Sequence, residues 1–203
     1  MIGIIDYGMG NLRSVYNAFL SIDAPVKLIS DLSQFDELTH LVLPGVGAFS
    51  QAMLNLHSRN LVNPIQNFIE EGKPVLGICL GMQLLANSGY EPTKIEGLNI
   101  IEGEVVKLGN INQRIPHVGW NSIELTQSHY LFEGVKKAVD FYFVHSYYFN
   151  VLKDDNILAF CNYGMKFPAV VHKKNVVGIQ FHPEKSQKNG LKILENFSFN
   201  NNA

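Results

Sequence analysis

Residues 74–86 read Pro-Val-Leu-Gly-Ile-Cys-Leu-Gly-Met-Gln-Leu-Leu-Ala, a strand pattern that runs directly into a helix pattern. Residues 74–78 form the apolar run of a buried strand, whereas residues 79–86 have helical composition. Gly77 and Gly81 flank Cys79 in the pattern Gly-x-Cys-x-Gly, in which the glycines permit a sharp strand-to-helix turn. The pattern predicts that the Cys79 thiol projects above the sheet at a helix N-terminus, which favours a thiolate. Cys79 by itself is equally compatible with a cysteine packed in the core.

Short apolar segments on both sides of this turn alternate with helical patterns. We predict strands at residues 2–6, 40–43 and 176–181, and helices at residues 11–22 and 61–72. Such alternation is typical of an α/β fold whose mostly parallel sheet is flanked by helices. In this fold class, ligands bind beyond the carboxyl ends of the strands.

The second half of the chain is richer in β-type residues. The stretches 140–149, 157–163 and 169–172 predict antiparallel strands added to the sheet, and residues 190–199 predict a final helix. No linker, repeat or low-complexity segment divides the sequence. We therefore expect residues 1–203 to form one domain, since a chain of this length can bury a sizeable core.

Composition excludes several classes of function. The 16 Lys and Arg residues nearly balance the 18 Asp and Glu residues, and no basic run is present that would follow a nucleic-acid backbone. The first residues lack the pattern of a secretory leader, and no apolar run approaches the roughly 20 residues that span a bilayer. We therefore expect a cytoplasmic protein that contacts neither nucleic acid nor membrane.

Neither a metal nor a cofactor is expected. Residues 7–11 read Tyr-Gly-Met-Gly-Asn, but position 13 is Arg, so the segment is not a dinucleotide-binding fingerprint. The two cysteines are expected to be free thiols in a reducing compartment. Cys161 lacks flanking glycines and is predicted to be a packed strand residue.

A catalytic cysteine needs a base, and His182 is the candidate with a carboxylate at suitable spacing. In the extended segment His182-Pro183-Glu184, residues two apart point the same way, so Glu184 can orient the imidazole while its other nitrogen faces Cys79. Pro183 disfavours helix at His182 and keeps the pair extended. An ordinary surface turn is the alternative interpretation of this tripeptide. His145 is the second candidate base, although no carboxylate lies two residues away from it.

Acyl transfer at a cysteine also needs N–H donors for the oxyanion of the tetrahedral intermediate. The N–H of Leu80 is the first donor that the turn predicts. Residues 43–49 read Leu-Pro-Gly-Val-Gly-Ala-Phe after a predicted strand, so Val46 or Gly47 is expected to present the second. A plain Pro-Gly turn is the alternative for this segment.

Taken together, these motifs closely resemble those of the class I, or triad, glutamine amidotransferases. The resemblance lies in residues 44–47, 77–83 and 180–184. Within that class, residues 4–12, 116–121 and 143–147 are similar to the glutaminase subunits of imidazole glycerol phosphate synthases. The likeness covers almost the whole chain, although residues 88–97 lack the acid-rich stretch that the family often has there.

The resemblance implies hydrolysis of L-glutamine to glutamate and ammonia by Cys79, His182 and Glu184. The residues that it implies for the glutamine pocket are Gly47, Gln83, Tyr142, His145 and Ser146. It implies a cyclase subunit, a (β/α)₈ barrel, that uses the ammonia in histidine biosynthesis to form imidazole glycerol phosphate and an aminoimidazole ribotide. The residues expected to contact this subunit in a heterodimer are Met9, Asn11, Val118, Trp120 and Lys185.

Two alternatives remain open from the sequence. Similar subunits pair with cyclase-like proteins that place nitrogen on surface-polysaccharide sugars, and the departure at residues 88–97 leaves that partner possible. A non-catalytic subunit that only binds and regulates is an alternative from a different class. The presence of Cys79, His182 and Glu184 argues against it.

Overall fold

The computed structural model of the chain describes residues 1–91, 93–109, 112–136 and 139–199. The predicted domain of residues 1–203 also takes in residues 92, 110–111, 137–138 and 200–203, which lie outside the described residues.

The described chain alternates strands and helices in its first half and is mainly β-structure in its second. In chain order, the strands are β1 Ile2–Ile5, β2 Val26–Ile29, β3 His40–Leu43, β4 Val75–Ile78, β5 Ser88–Tyr90, β6 Lys94–Glu96, β7 Gly103–Lys107, β8 His117–Leu125, β9 Asp140–His145, β10 Tyr147–Val151, β11 Ile157–Asn162, β12 Lys166–Lys173 and β13 Val176–Ile179. The α-helices are α1 Leu12–Leu20, α2 Phe49–Ser58, α3 Val62–Glu70, α4 Leu80–Gln83 and α5 Gln187–Phe199.

A mixed nine-stranded sheet forms the centre of the fold, in the order β2-β1-β3-β4-β13-β12-β11-β8-β9. Neighbouring strands from β2 to β13 are parallel, and the remaining pairs are antiparallel. The predicted α/β class, with a parallel sheet and antiparallel additions, is confirmed. A second sheet, of order β10-β7-β5-β6, is a feature that the sequence did not predict.

Helices cover both faces of the large sheet at its centre, where strands β1, β4 and β13 are buried along their whole length. Ile4 and Ile5 of β1 point into different core clusters, as expected for alternating side chains. Phe19 of α1 and Phe197 of α5 belong to the first cluster, and Phe68 of α3 belongs to the second. Among the described residues, no helix combines the length and apolar character that crossing a bilayer requires.

The prediction of one strand over residues 140–149 is wrong in one respect, because the structure has two strands there, separated at Ser146. β9 pairs with β8 in the large sheet, whereas β10 pairs with β7 in the small one. The Ser146 carbonyl accepts a hydrogen bond from the N–H of Leu108 at 2.9 Å, just beyond β7. The chain therefore changes sheets at Ser146, which places the buried Phe149 in the second core cluster.

The helix after Cys79 is shorter than its composition predicts. α4 ends at Gln83, and the carbonyls of Leu84, Leu85 and Ala86 instead accept hydrogen bonds from N–H groups of residues 98–101. These bonds satisfy the carbonyls without continuing the helix. Because α4 has only one turn, the helix dipole at Cys79 is that of one turn. The individual N–H groups near Cys79 therefore matter more for its thiol than the dipole does.

Gly81 allows this turn to pack against the end of β3. A Cβ atom at Gly81 would overlap the Leu43 carbonyl oxygen, and one at Gly77 would lie 2.7 Å from the Gly81 carbonyl oxygen. Both neighbours are backbone atoms, which cannot move aside as a flexible side chain does.

We expect Gly81→Ala to lower the free energy of unfolding by about 3 kcal/mol or more, the upper range for overpacking. Urea unfolding followed by circular dichroism measures this. Gly109→Ala is the matched control, since an added Cβ there meets nothing within 4 Å. Equal stability of the two variants would contradict the packing role of Gly81.

Candidate active site

The carboxyl ends of three adjacent strands bring the predicted residues to one edge of the sheet. Cys79 follows β4, His182 follows β13 on one side of it, and residues 44–47 follow β3 on the other. A cavity of about 450 Å³ opens there. Its lining includes Val46, Gly47, Cys79, Leu80, Gln83, Glu91, Val144, His145, Ser146 and Tyr147.

Cys79 occupies a backbone conformation that is rare for a residue with a side chain. Its φ is 54° and its ψ is −108°, which places it outside helix and strand geometry. The Cys79 N–H donates to the Ile179 carbonyl at 2.7 Å, so the strained turn is tied to β13. The Sγ atom lies 3.9 Å from the Val144 carbonyl and 3.7 Å from Nε2 of Gln180. Cys79 is 6% exposed and lines the cavity.

His182 and Glu184 form a buried pair. Nδ1 of His182 lies 2.8 Å from Oε1 of Glu184, with side-chain exposures of 2% and 1%. Burial lowers the pKa of His182, but interactions with Cys79 and Glu184 outweigh burial and raise the pKa to about 10. Nε2 of His182 is buried and has no hydrogen-bond partner among the described residues. Nδ1 is thus held by Glu184, which leaves Nε2 as the nitrogen that can exchange a proton with Cys79.

The loop that carries His182 is fastened to β9 by main-chain bonds and a buried serine. The N–H of His182 donates to the Tyr142 carbonyl at 2.8 Å. Ser186 Oγ donates to the His182 carbonyl at 2.6 Å and accepts from the Tyr142 N–H at 3.0 Å. Ser186 was missed from the sequence because a single serine after a His-Pro-Glu segment carries no distinguishing signal.

The loop over residues 44–47 borders the cavity opposite His182. The Tyr7 hydroxyl donates to the Pro44 carbonyl at 2.7 Å, so the loop after β1 supports the loop after β3. Gly47 has a φ of 107°, a conformation that disfavours any side chain. Val46, Gly47 and Leu80, the predicted oxyanion donors, all line the cavity that contains the Cys79 thiol.

His145 lines the cavity, but its ring nitrogens are already engaged. Nδ1 lies 2.8 Å from the Tyr147 carbonyl, and Nε2 lies 3.0 Å from Nδ1 of the buried His117. Because a carbonyl can only accept, Nδ1 of His145 carries the proton and Nε2 accepts from His117. Burial lowers the pKa of His145 to about 3 and that of His117 to about 4. His145, the second candidate base, is therefore neutral, and both of its ring nitrogens are engaged in hydrogen bonds.

The predicted glutamine pocket is brought together in part. Gly47, Gln83, His145 and Ser146 line the cavity, whereas Tyr142 does not. The Tyr142 ring instead contacts Trp120, with ring centroids 5.9 Å apart, because it lies further back along β9. Glu91 lines the cavity although the sequence did not single it out. Among the described residues, no cluster of His, Cys, Asp or Glu could hold a metal ion.

The residues predicted to contact a partner lie outside the cavity lining, on the loop after β1, on β8 and after His182. Asn11, Val118, Trp120 and Lys185 are exposed, and Met9 is half-buried near Gly47. Val118 pairs with Val144 across β8 and β9, and Trp120 pairs with Tyr142. Lys185 Nζ lies 5.6 Å from the centre of the Tyr142 ring. Val118 and Trp120 are 54% and 47% exposed.

The chain is similar to known proteins over nearly its whole length. The model for glutamine amidotransferase class-I proteins matches residues 3–201. The chain is 50% identical over 197 residues to the imidazole glycerol phosphate synthase subunit HisH of Caldanaerobacter subterraneus subsp. tengcongensis, covering 97% of each protein. It is 49% identical to the HisH subunit of Aquifex aeolicus, over 96% of this chain and 94% of that relative.

Solved structures share the fold at low sequence identity. A crystal structure of a glutamine amidotransferase matches with a TM-score of 0.73 and 21% identity, covering 97% of this chain and 98% of the other. The structure of PurLQS from Thermotoga maritima matches with a TM-score of 0.75 and 17% identity, covering 97% and 96%. At these identities the likeness concerns the fold alone.

We expect Glu184→Gln to lower the pKa of His182 by about one to two units, because a charge-assisted hydrogen bond is lost. Imidazole resonances followed by NMR against pH measure the change. In the unaltered chain His182 should hold its proton well above neutral pH, since its pKa is raised to about 10. Glu96→Gln, at an exposed position on β6, is the control. An unchanged His182 titration in Glu184→Gln would contradict this role of the carboxylate.

Proposed function

The chain belongs to the class-I glutamine amidotransferases, and from this premise we propose that Cys79 attacks glutamine with the help of His182 and Glu184. Membership confirms the resemblance seen in the sequence motifs. The observation that carries the proposal is the buried His182 ring, whose Nδ1 is bonded to Glu184 and which interacts with Cys79 on its other side. We also propose that residues 1–203 act as one amidotransferase domain.

The first half of the reaction forms a thioester. His182 holds the proton taken from the Cys79 thiol, which matches its raised pKa. The sulfur attacks the side-chain carboxamide carbon of glutamine, and the carbonyl oxygen becomes an oxyanion. His182 then passes its proton to the amide nitrogen, the C–N bond breaks, and ammonia leaves.

The second half regenerates the enzyme. Neutral His182 takes a proton from water, whose oxygen attacks the thioester carbon and forms a second oxyanion. The C–S bond breaks, glutamate leaves, and the proton again lies between His182 and the Cys79 sulfur. The N–H groups of Leu80 and of Val46 or Gly47 stabilise both oxyanions. Each donor is worth about 2.7–4 kcal/mol in the transition state of comparable sites.

The cavity offers complementary groups for the amino-acid end of glutamine. Glu91 contributes a carboxylate to the cavity lining, and its Oε2 accepts a hydrogen bond from the N–H of Phe49 at 3.2 Å. This bond holds the carboxylate at the start of α2, where it can pair with the α-ammonium group of the substrate. The amide nitrogen of Gln83 is engaged with Tyr147 and Gln180, so its carbonyl oxygen is the atom left to accept from substrate. Gly47, His145 and Ser146 complete the walls.

We assign the ammonia to imidazole glycerol phosphate synthesis, because the relatives of nearly full length are named as subunits of that synthase. The partner is a cyclase subunit with a (β/α)₈ barrel, and it rests on Met9, Asn11, Val118, Trp120 and Lys185. Docking there covers exposed apolar surface and closes the route of ammonia from water, which would protonate it. We place this heterodimer in the cytoplasm, where Cys79 stays reduced.

Cys79→Ala tests the reaction. In the complex reconstituted with the cyclase, we expect glutamine-dependent synthesis to fall by at least about 10³-fold. Synthesis from added ammonium salts should continue, because the cyclase site is untouched. Cys161→Ala is the control, since Cys161 is buried in strand β11 and its pKa is raised by burial to about 12. Loss of both activities in Cys79→Ala would contradict the assignment of ammonia release to this chain.

Glu91→Gln tests the substrate pocket. We expect KM for glutamine to rise by about ten- to a hundredfold, the loss of one charge-assisted bond, with a small change in kcat. Steady-state glutaminase kinetics of the complex measure both constants. Glu96→Gln removes a nearby exposed carboxylate on β6 and should leave KM unchanged. An unaltered KM in Glu91→Gln would remove Glu91 from the pocket.

A further inference from the structure

Gln180 is a buried amide that the mechanism above does not use. It follows β13, lies two residues before His182 and is 0% exposed. Its Oε1 accepts from Nε2 of Gln83 at 3.0 Å, and its Nε2 donates to Sγ of Cys79 at 3.7 Å. We propose that Gln180 stabilises and positions the Cys79 thiolate by directing an N–H group at the sulfur.

The orientation of the Gln180 side-chain amide is set, through Gln83, by the backbone carbonyl of Tyr147. The Tyr147 carbonyl can only accept, and it lies 2.9 Å from the Gln83 amide, which must therefore turn its nitrogen toward it. The same nitrogen of Gln83 also donates to the Gln180 side chain, which must therefore turn its Oε1 toward Gln83. Nε2 of Gln180 then faces the Cys79 sulfur. Nδ1 of His145 donates to the same Tyr147 carbonyl at 2.8 Å, which holds the carbonyl in place. The amide orientation follows from the network rather than from the position of Gln180 alone.

The N–H donor of Gln180 stabilises the negative charge of the Cys79 thiolate, which is otherwise poorly solvated. The thiol is nearly buried, and a buried anion is stable only with partners. The charged or titratable groups that interact with Cys79 are His182, which follows β13, and Tyr7, which follows β1. Glu91 and His145 border the same cavity. His182 supplies the opposite charge, and Gln180 supplies a second donor from a different direction.

The inference rests on the proposed role of Cys79 as nucleophile, but its test needs neither glutamine nor a partner. The rate of alkylation of Cys79 by iodoacetamide, measured against pH, reports the fraction of thiolate. Mass spectrometry of the peptide that contains Cys79 separates it from Cys161. A chain whose Cys79 is activated but which does not hydrolyse glutamine would contradict the proposed function without affecting this inference.

Gln180→Met keeps most of the side-chain volume and removes the N–H donor. We expect the midpoint of the alkylation profile to move up by about one pH unit, so that the rate falls about tenfold at pH values well below both midpoints. Gln66→Met is the matched control, because the Gln66 amide donates to the Leu98 carbonyl at 3.0 Å and lies outside the cavity lining. An unchanged midpoint in a folded Gln180→Met chain would overturn the inference.

Gln83→Leu tests the network that orients the amide. It should move the midpoint in the same direction, and the double variant Gln83→Leu/Gln180→Met should shift no further than Gln180→Met alone. Additive shifts would overturn the claim that Gln83 acts through Gln180.

A measurement on the unaltered chain keeps the inference testable if the variants do not fold. The side-chain amide protons of Gln180, followed by ¹⁵N NMR, should move with the same pH midpoint as Cys79 alkylation. They should not move in Cys79→Ala. Amide resonances that are insensitive to pH in the unaltered chain would overturn the proposed contact.

Discussion

The site depends on one backbone constraint, the sharp turn that places Cys79 at the end of β4. The turn has a positive φ at a residue with a side chain, a conformation that costs of the order of 1–3 kcal/mol. It persists because the Cys79 N–H is bonded to β13 and because Gly81 packs against the end of β3. The three strands that hold the turn are also the strands whose loops carry His182 and residues 44–47. Packing of the sheet therefore brings Cys79, His182 and residues 44–47 to the same edge of the sheet.

Besides the strained turn, the burial of ionisable groups costs free energy at this site. A buried ion pair is stable only when its remaining donors and acceptors are satisfied, and breaking such a pair costs about 3–5 kcal/mol. His182 and Glu184 meet only part of this requirement, because Nε2 and Oε2 lack partners among the described residues. An unsatisfied nitrogen next to Cys79 is a reason to assign function rather than stability. Ser186 and the Tyr142 backbone supply the rigidity that keeps this nitrogen in place.

The parts of the site that could be predicted are those whose geometry is local in sequence. The turn at Cys79 follows from two nearby glycines, and the spacing of His182 and Glu184 follows from an extended tripeptide. Glu91 could not be predicted, because its carboxylate reaches the cavity through a small second sheet that no periodicity revealed. Tyr142 was placed in the pocket by resemblance, but its position along β9 directs the ring toward Trp120. The outline of the fold was predictable for the same reason, since alternating strands and helices are local patterns.

Side-chain networks that join distant segments of the chain are the hardest part to predict from the sequence, and here they connect the cavity lining with strand β8. Val144 lines the cavity and its carbonyl lies beside the Cys79 sulfur, while its partner across the strand pair is the exposed Val118. The buried His117 on the same strand β8 bonds to His145, which shares the Tyr147 carbonyl with Gln83. Val118 on β8 is therefore one strand away from Val144, whose carbonyl lies 3.9 Å from the Cys79 sulfur. The exposed face of β8 and the surroundings of the sulfur are thus joined by the pairing of β8 with β9 and by the contact between His117 and His145.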